Sequence, residues 1–300
     1  MLTVKSLAEL ESQVAPASLV IGNFDGVHLG HRFLIKTALE KCRPTAAITF
    51  SPHPGDYFNR PVQLLTSFEQ RKTLLEETGL DALTVLEFND SIAELSAEQF
   101  SDMLCLDNLK VISIGSNFRF GKNALGDIGI LQNRLKGRVE INPVNPVSVN
   151  GSVVSSTLIR YLISSGQIEQ AALMLGRPYS AAGVVVEGMK IGRTLGFPTA
   201  NVETEVLIPS DGVYVVRVVM PDTTVFSGAA SIGARTTFFS GGKRAFEVFI
   251  DGFSGDIYGK TIEIQFVMKL REQIAFPSKD ELVKQISLDI EKVRHLNGYI

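Results

Sequence analysis

The chain has 300 residues, 45% of them apolar, with 29 Lys and Arg against 32 Asp and Glu. That length supports two domains with cores of their own, and a net charge near −3 with scattered basic residues leaves no long-range attraction for nucleic acid. No stretch approaches the roughly 18 apolar residues of a membrane span, Met1–Lys5 lacks the apolar core of a signal peptide, and the two cysteines, Cys42 and Cys105, have no framework spacing, so a soluble cytoplasmic protein without disulfides or membrane contact is expected.

The first strong pattern is an apolar strand over 18–24 running into Gly22-Asn23-Phe24-Asp25-Gly26-Val27-His28-Leu29-Gly30-His31. A glycine-punctuated turn there leads into an amphipathic helical run, Phe33 through Leu39. Free backbone N–H groups and the positive end of the helix dipole make such a turn a phosphate site, and His28 and His31 add imidazole donors. Satisfied surface or core histidines are one alternative at this spacing and a zinc site is another, the latter needing a third ligand that no nearby motif supplies. Three of the four histidines (His28, His31 and His53) follow predicted strands within the first sixty residues, where open α/β sheets place ligands.

Strands are next predicted over 45–50, 82–88, 110–115 and 138–142, separated by helices with readable caps. Ser67-Phe68-Glu69-Gln70 and Ser96-Ala97-Glu98-Gln99 have the capping-box form, and Gly79 stands where a helix-terminating glycine belongs. This alternation implies an α/β domain with a mainly parallel, Rossmann-like sheet. Loops after its strands carry Ser51-Pro52-His53-Pro54, with Phe58 beyond, and Gly115 through Gly121, including Asn117. Asn150-Gly151 marks a hairpin turn, followed by short helices over 156–165 and 168–175. At the first, Ser156 and Thr157 can cap the helix or hold a phosphate, with Arg160 one turn along as a cation.

The texture changes near 177–182, dividing the chain into domains 1–178 and 179–300. Strand-like runs follow at Gly183–Glu187, Gly212–Met220, Thr224–Gly228, Ala245–Phe249 and Thr261–Met268, which suggests an antiparallel β-barrel. A helix closes the chain from Pro277-Ser278 through Val293, its Val283, Ile286, Ile290 and Val293 on one face able to cover the barrel.

Taken together, Gly22–His31, Ser51–Pro54, Gly115–Gly121 and Ser155–Arg160 resemble the adenylyltransferase module of bacterial bifunctional riboflavin kinase/FAD synthetases, which are His-x-Gly-His nucleotidyltransferases. The resemblance continues in Gly192-Arg193-Thr194-Leu195-Gly196-Phe197-Pro198-Thr199-Ala200-Asn201, which is similar to the family's kinase signature, and in Leu207–Tyr214, Gly233–Arg235, Glu247, Asp256–Gly259 and Lys269–Glu272. It implies a nucleotidyltransferase domain followed by a riboflavin-kinase barrel with a C-terminal helix. The implied reactions are ATP-dependent phosphorylation of riboflavin to FMN and adenylylation of FMN to FAD, with Mg²⁺ accompanying ATP.

By this resemblance His28 and His31 neutralise charge on the α- and β-phosphates, and Gly22, Asn23, Phe24, Asp25 and Gly30 line the nucleotide pocket. Asn117, Ser156, Thr157 and Arg160 hold nucleotide and triphosphate, while His53, Pro54 and Phe58 face the flavin. In the barrel, Gly192, Arg193, Gly196, Phe197, Pro198 and Arg235 bind ATP or flavin, Thr199 and Asn201 reach Mg²⁺ through the phosphates, and Glu247 is the general base. Read from spacing alone, Glu247 is an ordinary outward strand glutamate. Three positions depart from the family pattern: Thr236 in place of proline, Phe249 in place of histidine, and Gln273 in place of an acid. They leave open an enzyme that only adenylylates FMN, and a non-catalytic flavin or nucleotide sensor is the reading from another class. Oligomeric state carries no sequence signal.

Overall fold

The computed structural model describes residues 1–188, 191–234 and 244–296, with the side chains of Ile191 and Ala234 not described. Arg235 and Thr236 therefore lie outside the described residues. The chain divides into two compact units, Met1–Val62 with Phe68–Ser155, and Gln63–Ser67 with Ser156–Ile300.

The first unit begins with β1 (Leu2–Val4), α1 (Leu7–Gln13), β2 (Ser18–Ile21) and α2 (Leu29–Lys41). It continues through β3 (Thr45–Ser51), α3 (Pro54–Tyr57), α4 (Phe68–Glu76), β4 (Ala82–Glu87), α5 (Asp90–Ala93) and α6 (Ala97–Met103). The strand β5 (Val111–Gly115), α7 (Ile128–Arg134), β6 (Glu140–Val144) and the hairpin β7 (Ser148–Val149)/β8 (Ser152–Val153) complete it. The hairpin turns at Asn150-Gly151, both at positive φ.

The sheet order is β1-β4-β3-β2-β5-β6, with every neighbouring pair parallel. Parallel strands covered on both faces must be apolar on both, and these are. Leu19, Ile21, Ile112 and Ile114 pack with Leu104 and Leu131 on one side, while Val20, Ala47 and Leu83 meet Leu34, Ile35 and Ala38 of α2 on the other. The chain leaves β2 toward β3 and β4, then returns to β5 on the opposite side. The carboxyl ends of β2 and β5 thus form the switch point where open α/β sheets bind ligands. Strand β1 is unannounced in the sequence because three residues show no periodicity; its register with Ala82–Thr84 comes from distant pairing. Strand β2 stops at Ile21, short of the expected 24, because Phe24 takes left-handed backbone with φ 51°.

The second unit contains α8 (Ser156–Ser164), α9 (Ile168–Leu175), β9 (Tyr179–Val186), the single turn α10 (Ile191–Thr194) and β10 (Thr199–Glu203). Then come β11 (Gly212–Val219), β12 (Val225–Ala234), β13 (Arg244–Ile250), β14 (Thr261–Arg271) and α11 (Lys279–Leu296). The strands close an antiparallel barrel in the order β10-β13-β12-β11-β14-β9. Tyr179, Tyr214 and Phe246 gather around Phe266 in its core, with ring centroids 5.6 to 6.0 Å apart. Buried aromatics of this size supply much of a small barrel's apolar stabilisation. Helix α9 buries Ile168, Ala171, Met174 and Leu175 and packs on β9 and β14, so α8 and α9 group with the barrel. Strand β10 is additional to those the pattern predicts.

Helix α11 starts where expected, with Ser278 Oγ accepting from Glu281 N–H at 3.3 Å. Ile290 and Val293 are buried, Val283 and Ile286 only half-buried, and the helix lies against β12. Its inner face also carries Asp289, whose carboxylate accepts from Arg271 Nε at 2.9 Å and Gln285 Nε2 at 2.9 Å. Replacing Asp289 with alanine would strand Arg271, so Asp289→Ala is expected to cost about 3–5 kcal/mol, read as a lowered denaturation midpoint of the barrel. Among the described residues no helix is long and apolar enough to cross a membrane.

Candidate active sites

The β2–α2 turn is built by close approach more than by glycine flexibility. Phe24 and Val27 take positive φ alongside Gly26, and all three are buried, so packing holds backbone conformations that L-residues ordinarily avoid. Gly22 and Gly30 are needed for space instead. A Cβ at Gly22 would press on the Phe24 ring at 3.3 Å, and one at Gly30 on the His28 imidazole at 3.2 Å.

His28 is the N-cap of α2, its Nδ1 accepting from His31 N–H at 3.2 Å. That bond leaves Nε2 as the ring's N–H position. The His28 and His31 rings stack with centroids 3.6 Å apart, and Phe24 meets His31 edge-on at 5.3 Å. The spacing read from sequence therefore brings both imidazoles together at a helix N-terminus. Desolvation holds His31 well below the usual histidine range, aided by the charges of His28 and Arg71. His31 is thus a neutral imidazole at pH 7. Among the described residues no group of three His, Cys, Asp or Glu is placed to hold a metal.

Arg71 is the residue the sequence reading missed. It lies in α4 with only 4% of its surface exposed and donates from Nη1 to the Asn23 carbonyl at 2.9 Å. Its neighbour in charge is Asp25, itself 2% exposed. The available signal was a charged residue on a stripe otherwise made by Phe68, Leu74 and Leu75.

Two further predicted loops leave β3 and β5, the strands on either side of β2. After β3, His53 caps α3 by accepting from Gly55 N–H at 3.0 Å, and Pro54 begins that helix. Phe58 is 52% exposed and forms edge-on contacts with Tyr57 and Phe88, aromatics the sequence reading did not select. Asn117, past β5, is exposed. Ser156 and Thr157 open α8 as expected, and Arg160 donates from Nε to the Gln63 carbonyl at 3.0 Å. These last residues belong to the second compact unit.

In the barrel, strand register assembles a polar row. Asn201 of β10 and Ser231 of β12 flank Glu247 of β13 as direct cross-strand partners, while Thr199 pairs with Phe249. Thr199 Oγ1 donates to Glu247 Oε2 at 3.3 Å. Glu247 and Ser231 are half-buried and Asn201 is buried, on the face opposite Phe246, Val248 and Ile250, which alternate into the core. Gly192 and Arg193 lie in α10, where the Gly192 carbonyl accepts from Phe197 N–H at 2.8 Å. Gly196 supplies the left-handed residue of that loop at φ 86°, followed by exposed Pro198. Phe249 packs edge-on against Phe197 at 6.2 Å, which gives the departure from histidine a packing partner. Gln273 donates from Nε2 to Ser231 Oγ at 2.9 Å and the Ile232 carbonyl at 3.0 Å, bonds that a carboxylate could not donate.

Residues 10–158 match the family model for FAD synthetase, and residues 175–297 match that for riboflavin kinase. A bifunctional riboflavin kinase/FMN adenylyltransferase from Haemophilus influenzae is 34% identical over 304 residues, 97% of each chain. The chain belongs to the bifunctional riboflavin kinase/FMN adenylyltransferase family. A second member, from Escherichia coli K12, is 34% identical across 93% of this chain and 92% of its own. A crystal structure from Streptococcus pneumoniae, named a macrolide-efflux protein, has the same two-part fold, with a TM-score of 0.85 at 32% identity over 98% of both chains. The family's two halves correspond to the parallel sheet with its His28/His31 turn and to the closed barrel with Glu247.

Proposed function

We propose that this chain phosphorylates riboflavin to FMN with ATP and adenylylates FMN to FAD with a second ATP. The observation that carries the reading is the presence of both family halves in one chain, each with its reactive residues clustered: stacked His28 and His31 in one, Thr199 on Glu247 in the other. Residues 1–178 carry adenylyl transfer and 179–300 carry the kinase, working on small molecules in the cytoplasm.

In adenylyl transfer an FMN phosphate oxygen attacks the α-phosphorus of ATP, and the bond to the bridging β-oxygen breaks to release pyrophosphate. The enzyme's part is in-line positioning and relief of charge. The turn Gly22–Asp25 and Gly30 let backbone approach the nucleotide, and His28 Nε2–H and His31 donate to α- and β-phosphate oxygens. Asn117 gives the nucleotide a fixed polar contact. His53 and Pro54 shape the flavin side, with Phe58 offering an exposed ring face.

In the kinase the terminal ribityl hydroxyl attacks the γ-phosphorus, ADP leaves, and Glu247 accepts the hydroxyl proton. Gly192, Arg193, Gly196, Phe197, Pro198 and Arg235 bind ATP or flavin. The donors beside Glu247 are a hydroxyl and a carboxamide, hard oxygen ligands of the kind that Mg²⁺ accepts along with phosphates and water. Thr199 and Asn201 would hold Mg²⁺ on the ATP phosphates, where it supplies neutralising charge when bound.

A Cβ at Gly192 would overlap the Phe197 carbonyl oxygen and press on Thr199 Oγ1 at 3.2 Å. Gly192→Ala is therefore expected to lower riboflavin phosphorylation about 10²-fold by displacing this loop, with FAD formation from FMN unchanged. The reading as a whole is tested by incubating the purified protein with ATP and Mg²⁺, once with riboflavin and once with FMN, and separating the products by chromatography. FMN and FAD from riboflavin, with FAD from FMN, are expected. FAD from FMN but no product from riboflavin would leave adenylyl transfer alone, and no product from either would remove the enzymatic reading.

A further inference from the structure

The adenylyl-transfer turn is backed by a buried cation, Arg71, that lies outside the sequence segments carrying the resemblance. Arg71 projects from α4 onto the inner side of the Asn23–Asp25 turn, where Nη1 holds the Asn23 carbonyl at 2.9 Å. Its guanidinium carbon lies 5.6 Å from the centroid of the Phe68 ring. The Nε atom is shut off from solvent and meets no acceptor, and His31 Nδ1 is in the same condition. Two buried, unpartnered nitrogens around one short turn are costly to a resting protein, each forfeiting a hydrogen bond it would make in water. Such an arrangement persists where the surrounding packing fixes it for a purpose beyond stability.

We propose that Arg71 is a positioning residue for adenylyl transfer, bracing the Asn23–Asp25 turn from behind so that His28 and His31 meet the nucleotide in one fixed arrangement. The bracing is direct at Asn23, whose carbonyl accepts from Arg71 Nη1 at 2.9 Å and from Thr49 Oγ1 of β3 at 3.2 Å, Arg71 supplying the shorter, charged contact to the turn that carries Phe24 and Asp25. Phe24 in turn supports the His31 ring edge-on, so the hydrogen bond at Asn23 reaches the imidazole through two contacts. The electrostatic consequence follows from the same placement. Burial first, then His28 at the head of α2, and then Arg71 from α4 disfavour a proton on His31, while Asp25 on the turn offsets part of the Arg71 charge. Arg71 adds to the burial that keeps His31 neutral, and the negative triphosphate becomes what favours its protonation.

This inference rests on the reading of the His28/His31 turn as the adenylyl-transfer site, and the test separates the two. His31 is followed by NMR titration in the nucleotide-free full-length protein, with FAD formation from FMN measured alongside. Arg71→Gln removes the charge but keeps a donor; Arg71→Lys keeps the charge but not the planar fork. Arg71→Gln is expected to raise the His31 midpoint and to lower kcat for FAD formation about ten-fold, with riboflavin phosphorylation unchanged as the control for folding. Arg71→Lys is expected to keep the native His31 midpoint while also losing kcat, and it carries the test if the glutamine variant does not fold. A native His31 midpoint and native kcat in Arg71→Gln, or native kcat in Arg71→Lys, would overturn the role of Arg71. Full FAD formation by His31→Ala would instead overturn the site reading on which it rests.

Discussion

His31→Ala is expected to make FAD from FMN about 10²–10³-fold more slowly than the native chain while making FMN from riboflavin at the native rate. The magnitude is that of removing one preorganised donor from a site where charge develops on phosphate oxygens. Two observations support a large effect. His31 packs between the His28 ring and the Phe24 edge, so its direction is fixed before substrate arrives. Burial holds it neutral before substrate arrives, so a proton gained there answers charge brought by the triphosphate. The sparing of FMN formation follows because Thr199, Asn201 and Glu247 lie on barrel strands of the other compact unit. The comparison requires only chromatography of both reactions on the same preparation. Equal losses of both activities in folded protein would contradict the assignment.

Glu247→Gln is expected to give the reverse pattern, with riboflavin phosphorylation falling about 10²–10⁴-fold and FAD formation from FMN unchanged. Glutamine keeps the length of the side chain and an oxygen to accept from Thr199, so the fold-level contact survives. What it cannot do is take the proton of an attacking hydroxyl. A glutamate that merely decorates an outward strand face would tolerate this change with little loss of rate, so the substitution distinguishes the two roles. Steady-state rates with saturating ATP would show the loss in kcat.

The parallel sheet was legible because its signals are local. Runs such as Ala46–Phe50 and Val111–Ile114 are apolar on both faces, and turn residues separate them from capped helices. The loop residues His28, His31, His53 and Asn117 could be assigned to the ends of strands for the same reason. Elements defined by distant partners were not legible. Strand β1 exists through its pairing with β4, and β10 through its pairing with β9 and β13. The register that sets Asn201, Glu247 and Ser231 in one row is likewise a property of three strands together. Arg71 stayed hidden because a lone arginine in a helix ordinarily reaches solvent, and only packing of α4 on the turn buries it. The neutral state of His31 comes first from its burial and then from the stacked His28 and the buried Arg71, all of which depend on tertiary packing.

The central claim is that one chain holds two separable sites, and mixing the two single-defect proteins tests it most directly. Neither His31→Ala nor Glu247→Gln alone should carry riboflavin through to FAD: the first stops at FMN, the second never makes it. Supplied together with riboflavin, ATP and Mg²⁺, they are expected to form FAD, because FMN made by one barrel can be adenylylated by the other chain's intact turn. A mixture that forms no FAD, from two variants that each retain their remaining activity, would contradict the account.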